Sequence, residues 1–199
     1  MKRKQAKHKL CRRLGSCVWG DAKCPSAKRP YPAGSSKYAR RQKLSTYGEL
    51  LQEKQKLRAH YDVNEKQLRF TYHKAQTGKG STPEKLLSLL ELRLVSVVFR
   101  SGLAPSIFAA KQLVNHRHVQ VDGRTVDRNG FQVKPGQVVS LNTEKSASVV
   151  AIAQNTEVTP PPYLEVDKTN CKVTVARLPH YDEIPANVEA MRVVEYYAR

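Results

Sequence analysis

His8, Cys11, Cys17 and Cys24 stand in the spacing His-x2-Cys-x5-Cys-x6-Cys near the start of this 199-residue chain. Thiolates and an imidazole so spaced can close a tetrahedral zinc site. A short basic arm has too little apolar surface to fold by itself, so a structural zinc ion would supply the missing folding free energy. Reduced, unligated thiols are the alternative. A disulfide network is disfavoured, because three cysteines leave one over and the chain has the look of an intracellular protein. The fourth cysteine, Cys171, opens the alternating run 171–175 and is expected to be a buried strand residue.

The second chemistry is electrostatic. The chain carries 35 Lys+Arg against 17 Asp+Glu, a formal charge of +18. An excess of this size implies an extended polyanion as partner. The charge is uneven: residues 1–80 hold 21 basic and 5 acidic side chains, residues 81–199 hold 14 and 12. Electrostatic affinity is therefore expected in the N-terminal part, weakening with salt as counterions are released. No apolar run of about 18 residues occurs, so no membrane partner is expected. The basic start is not followed by the apolar core of a secretory signal. There is no glycine-rich phosphate loop, nucleophile elbow or paired zinc-protease histidines. His8, His60, His73, His116, His118 and His180 form no recognisable pattern with a Ser or Cys nucleophile. The chain is expected not to be an enzyme and to take no small-molecule substrate.

The elements that must carry these groups follow from periodicity. Residues 1–45 read as an irregular basic arm: 1–43 hold 14 Lys+Arg and one acid, Asp21, and Pro25, Pro30, Pro32 and Gly34 break any long helix. Thr46-Tyr47-Gly48-Glu49 has capping-box spacing and opens a helix to Tyr61. Leu50, Leu51, Leu57 and the Lys54 stem face inward on it, and Glu53, Lys56 and Arg58 outward. A second helix spans about 64–76, with Leu68 and Tyr72 four apart. Ser81-Thr82-Pro83-Glu84 is a second capping box and starts the leucine-rich helix 83–93. Helices at 94–100 and 105–115 then give way to strand alternation at Val119 and Val121. Asp122-Gly123 is a hairpin turn signal, and Pro135-Gly136 turns into a strand at 137–141. A short helix and linker at 144–158, an extended Pro160-Pro161-Pro162 and weakly alternating short strands complete the chain. The expected class is α+β: the arm 1–45, a helical lobe 46–92 packed with the tail 143–199, and a compact αα-hairpin/β-hairpin module at 93–142.

Arg93-Leu94, Val97-Val98-Phe99-Arg100, Gly102, the run Ala110–Val114, His116, His118-Val119, Val121-Asp122-Gly123, Val126 and Val133-Lys134-Pro135-Gly136 resemble the small RNA-binding module named after the fourth small-subunit ribosomal protein. The flanks, with Leu44-Ser45-Thr46-Tyr47-Gly48-Glu49, Glu65-Lys66-Gln67-Leu68-Arg69, Tyr163-Leu164-Glu165-Val166-Asp167 and the ending Val194-Glu195-Tyr196-Tyr197-Ala198-Arg199, resemble that ribosomal protein family itself, of bacterial or organellar type.

The resemblance implies a structural protein that binds small-subunit rRNA directly, mainly through phosphate contacts and shape. It also implies early binding in assembly, neighbours in small-subunit proteins five and twelve, an influence on decoding accuracy, and a ribosome in the bacterial cytoplasm or an organelle matrix. Phosphate-positioning candidates are Arg12, Arg13, Arg29, Arg40, Arg41, Lys54, Lys56, Arg58, Arg69, Lys111, Arg117 and Arg124. Tyr31, Tyr47 and Tyr61 are candidates for stacking. Some relatives carry four cysteines in the arm; His8, Cys11 and Cys24 fall on three of those positions, and Cys17 fits only with a shorter loop. Ser35-Ser36-Lys37 replaces the family's Gln-His-Gly. Val95 and Ile107 replace its Asp and Arg, an ion pair exchanged for an apolar contact. A zinc-dependent RNA-binding translational regulator is the rival reading. An RNA-modifying enzyme using the same module would need a catalytic centre that 1–92 and 143–199 do not offer.

Overall fold

The computed structural model describes residues 7–20, 23–36, 38, 43–78, 80–142, 147–154 and 158–199. The chain forms two compact units, one of residues 1–65 and 186–199, the other of residues 66–185.

In the first unit the arm is more ordered than its prolines suggest. Helix α1 (Lys7–Leu14) contains neither Pro nor Gly and buries Cys11 and Leu14 on one side. A single turn, α2 (Pro25–Lys28), follows with its proline in the first turn. Helix α3 (Thr46–His60) starts one residue earlier than the sequence pattern indicates. Ser45 is the cap, its hydroxyl accepting from the Gly48 N–H at 3.2 Å. Leu50, Leu57 and the Lys54 stem are buried as expected, and two charges, those of Glu53 and Lys54, go in with them. Both find internal partners: Glu53 accepts from Lys56 at 2.6 Å and from the Glu189 N–H at 3.2 Å. The wall that buries them is a helix the weak alternation of the tail concealed, α9 (Ala190–Ala198), which packs along α3.

The second unit opens with α4 (Glu65–Gln76), whose first residue belongs to the first unit, and α5 (Thr82–Glu91). Ser81 makes no side-chain cap bond, so the second capping box is not formed. Leu86, Leu87 and Leu90 are buried. Helices α6 (Leu94–Arg100) and α7 (Ile107–Asn115) pack as the expected αα-hairpin, with Val95 and Ile107 both buried. Strands β1 (Val119–Val121), β2 (Arg124–Thr125) and β3 (Val138–Leu141) follow. Asp122 and Gly123 take φ of 48° and 77°, as a two-residue turn with both central residues left-handed requires. After α8 (Ala147–Gln154), strands β4 (Leu164–Asp167) and β5 (Lys172–Val175) complete an antiparallel sheet of order β2-β1-β3-β5-β4.

The α+β class stands. Residues 93–142 do not close on themselves, because β5 pairs with β3 and buries its edge. From the tail, α9 packs along α3, and β4 and β5 extend the sheet. Cys171 is buried, yet it lies in the turn before β5 at φ 50° rather than in the strand.

The core of this unit contains one charged cluster. Glu91, fully buried, accepts from Arg100 Nη2 at 2.9 Å and from the Tyr163 hydroxyl at 3.1 Å. Burial first, then the Glu91 charge, hold the Tyr163 phenol far above its ordinary range.

Candidate nucleic-acid interface

In the second unit the basic groups gather where α7 hands over to the sheet. His116 ends α7. Arg117 then adopts φ 62°, with its N–H on the Val114 carbonyl at 3.0 Å and the His118 N–H on the Leu113 carbonyl at 3.0 Å. This is a Schellman ending, a position normally given to glycine. A side chain held here against a backbone cost points to function. The Arg117 guanidinium projects into solvent beside Asp127, 3.2 Å away. Arg124 and Arg128 are exposed on the adjoining hairpin and Lys111 is half-buried on α7. The rings of His116 and His118 lie 6.2 Å apart. Three exposed arginines on one short α–turn–β stretch, Arg117 of them paired with Asp127, suit a phosphate backbone.

A family model described as "Ribosomal protein S4/S9 N-terminal domain" matches residues 2–91, and one described as "S4 domain" matches residues 92–139. Three bacterial relatives, from Mesorhizobium japonicum (43% identical), Brucella anthropi (42%) and Bartonella henselae (39%), each align with all of this chain and 99% of their own length. All three carry the name small ribosomal subunit protein uS4. The chain belongs to the small ribosomal subunit protein uS4 family.

Of the phosphate contacts expected in this family member, Arg13, Arg29 and Arg69 are exposed. Arg12 is pinned: its guanidinium sits 4.9 Å from the Tyr31 ring centre, and Nε donates to the Tyr31 carbonyl at 3.0 Å. Lys56 bonds Glu53, and Arg58 lies 3.3 Å from Glu65 with its side chain 40% exposed. Arg40 and Arg41 lie outside the described residues. Lys54 is a correction. Its side chain is buried, Nζ donates to Glu65 at 3.0 Å, and it rests 4.4 Å from the Tyr196 ring centre. The helical period had already turned its stem inward, and α9 covers that side, so its charge is used inside the protein rather than on phosphate. Tyr61 is also a correction, being buried and unable to stack on RNA. Tyr47 remains exposed, with its hydroxyl 3.3 Å from that of Tyr196.

Phe70, 72% exposed on α4, is a further surface residue outside the candidates drawn from sequence. Its signal was present: a helical wheel puts it between Lys66 and Lys74, opposite Leu68 and Tyr72.

The arm brings together three of its four thiol and imidazole candidates. Donor atoms of His8, Cys11 and Cys24 all lie within 4.8 Å of one another. Cys17 is not in that set, although its side chain is within hydrogen-bonding reach of Cys24. Burial pushes the Cys11 thiol up to about 12. Burial opposes ionisation of Cys24 as well, but hydrogen bonds from Ser26, Cys17 and His8 outweigh it and bring that thiol down to about 6. Soft sulfur donors with one imidazole fit zinc by their chemistry. The loop carrying Cys17 docks on α3: Trp19 Nε1 donates to the Ala59 carbonyl at 3.2 Å, His60 Nδ1 to Val18 at 2.9 Å and Gln52 to Leu14 at 2.6 Å.

Proposed function

We propose that the chain is a structural component of the small ribosomal subunit that binds small-subunit rRNA and carries out no catalysis. The observation that carries this reading is the family match running through both the basic N-terminal region and the α6–α7–sheet module. The exposed Arg13, Arg29, Arg69, Arg117 and Arg124 support it. Binding is mainly to phosphate and shape, as helical RNA requires. We extend the reading to early binding in subunit assembly, to proteins five and twelve as neighbours, to an influence on decoding accuracy, and to the bacterial cytoplasm as the place of work.

The same reading gives the arm a structural zinc held by His8, Cys11 and Cys24, with Cys17 as the fourth donor. When bound, the ion would supply cross-links in place of a core. The chain's own part is to tie α1, the Cys17 loop and α2 together, and through Trp19 and His60 to seat that arm on α3.

The test is the affinity of the full chain for a small-subunit rRNA transcript, against unrelated RNA of equal length, over a series of salt concentrations and with and without a zinc chelator. Preference for the rRNA with a steep salt slope supports the reading, and a further loss on chelation supports the metal-ordered arm. Equal affinity for both RNAs overturns it.

A further inference from the structure

We propose that Phe70 is a stacking residue for an unpaired RNA base, set in a basic groove-free face of α4. This deepens the rRNA-binding reading and rests on it.

The buried side of α4 is complete without Phe70. Leu68, Thr71, Tyr72 and Ala75 face the protein, and Leu68 is fully buried. At 100° per residue these four occupy one arc. Phe70 falls in the middle of the opposite one, with Lys66 one turn before it and His73 and Lys74 one turn after. Arg69 and Gln67 flank it. All are exposed, and Phe70 itself is 72% exposed. Phe70 thus leaves a large ring in water among charged neighbours of one sign. Here every charged neighbour on the face is cationic, which rejects a basic or membrane-buried partner and favours a polyanion. An aromatic ring between lysines is the arrangement that grips a strand locally free of its complement. The cations follow the backbone while the ring takes a base face, without hydrogen-bond readout. A ring has no such use against a continuous duplex, whose bases are already stacked. The occupant is therefore a bulged or looped nucleotide of the bound RNA.

The experiment uses the full chain with four substitutions, the small-subunit rRNA transcript, and a fully paired duplex of equal length. Phe70→Ala lowers affinity for the rRNA about tenfold, leaves affinity for the duplex unchanged, and leaves the salt slope unchanged because no phosphate contact is lost. Phe70→Tyr restores affinity, and Phe70→Leu, equally apolar but without a ring face, behaves as Phe70→Ala. Lys66→Ala does the reverse, reducing the salt slope by about one. All four melt with the parent, since the residues lie on the solvent side. Full affinity in Phe70→Leu would assign the ring to an apolar contact, as with a protein partner, and overturn the proposal. So would an equal loss on the duplex, or no loss in Phe70→Ala. A parent chain that does not prefer the rRNA would instead overturn the reading on which the proposal rests.

Discussion

Lys54 Nζ donates to Glu65 across 3.0 Å, beneath the Tyr196 ring. The Tyr197 hydroxyl donates to the same carboxylate oxygen at 2.8 Å and Arg58 approaches the other oxygen. Burial raises the Glu65 carboxyl, but Lys54 and Tyr197 more than reverse this and hold it below its ordinary value. A depressed carboxyl stabilises the fold fully above its unfolded pKa, and that contribution is lost as pH falls through the folded value. Glu65→Gln should therefore destabilise at neutral pH by about 1 kcal/mol, discounted for an exposed carboxylate edge, and the difference from the parent should vanish in acid. Urea melts at pH 7 and pH 3 check this. Lys54→Met should leave the salt slope of RNA binding unaltered, since Lys54 faces the protein.

Glu91 is fully buried with Arg100 and Tyr163. Removing one partner of such a cluster strands a charge, so Glu91→Gln should cost about 3 kcal/mol. Tyr163→Phe, losing one hydrogen bond, should cost about 1 kcal/mol. The double variant should fall short of the sum. Denaturant midpoints of the four proteins measure it.

Arg117 holds a left-handed φ of 62° at the α7 terminus. Arg117→Gly should raise stability by up to about 1 kcal/mol while lowering RNA affinity. Arg117→Ala should lose affinity without the gain. Opposite signs in calorimetry and in a binding titration would establish that the strain serves RNA.

Trp19 is the sole tryptophan of the chain and bonds Ala59. If zinc ties the arm, a chelator should shift its fluorescence to longer wavelength as the loop leaves α3, and zinc should restore it. Cys24→Ser should abolish the response; Cys17→Ser, outside the three-donor cluster, should weaken it less. An unaltered spectrum on metal removal would refute the tie.

Val95 is buried in α6, which packs on α7. Val95→Asp should destabilise by about 2–3 kcal/mol, because Ile107 offers the carboxylate no partner. The double variant Val95→Asp with Ile107→Arg should recover part of it. A Val95→Asp protein that melts with the parent would sink the idea of an ion pair exchanged for an apolar contact.

What the sequence determined by itself was local. Asp122-Gly123 dictated a hairpin because its two residues accept positive φ. The leucines of α5 dictated a buried helix because they recur at the helical period. The excess of cations dictated a polyanion partner because charge acts whatever the fold. His8, Cys11, Cys17 and Cys24 were legible as one candidate group from ligand type and spacing, and the structure gathers the donor atoms of His8, Cys11 and Cys24.

What only the tertiary structure decided was which face of each element meets another. Glu53 falls on the side of α3 expected to face solvent, and became interior because α9 arrives from more than a hundred residues away. Strands β4 and β5 could be read individually, but not that β5 would close the edge of β3, since a strand's pattern records its own faces and not its neighbour. Burial is a property of pairs of elements distant along the chain, and periodicity within one element carries no term for it.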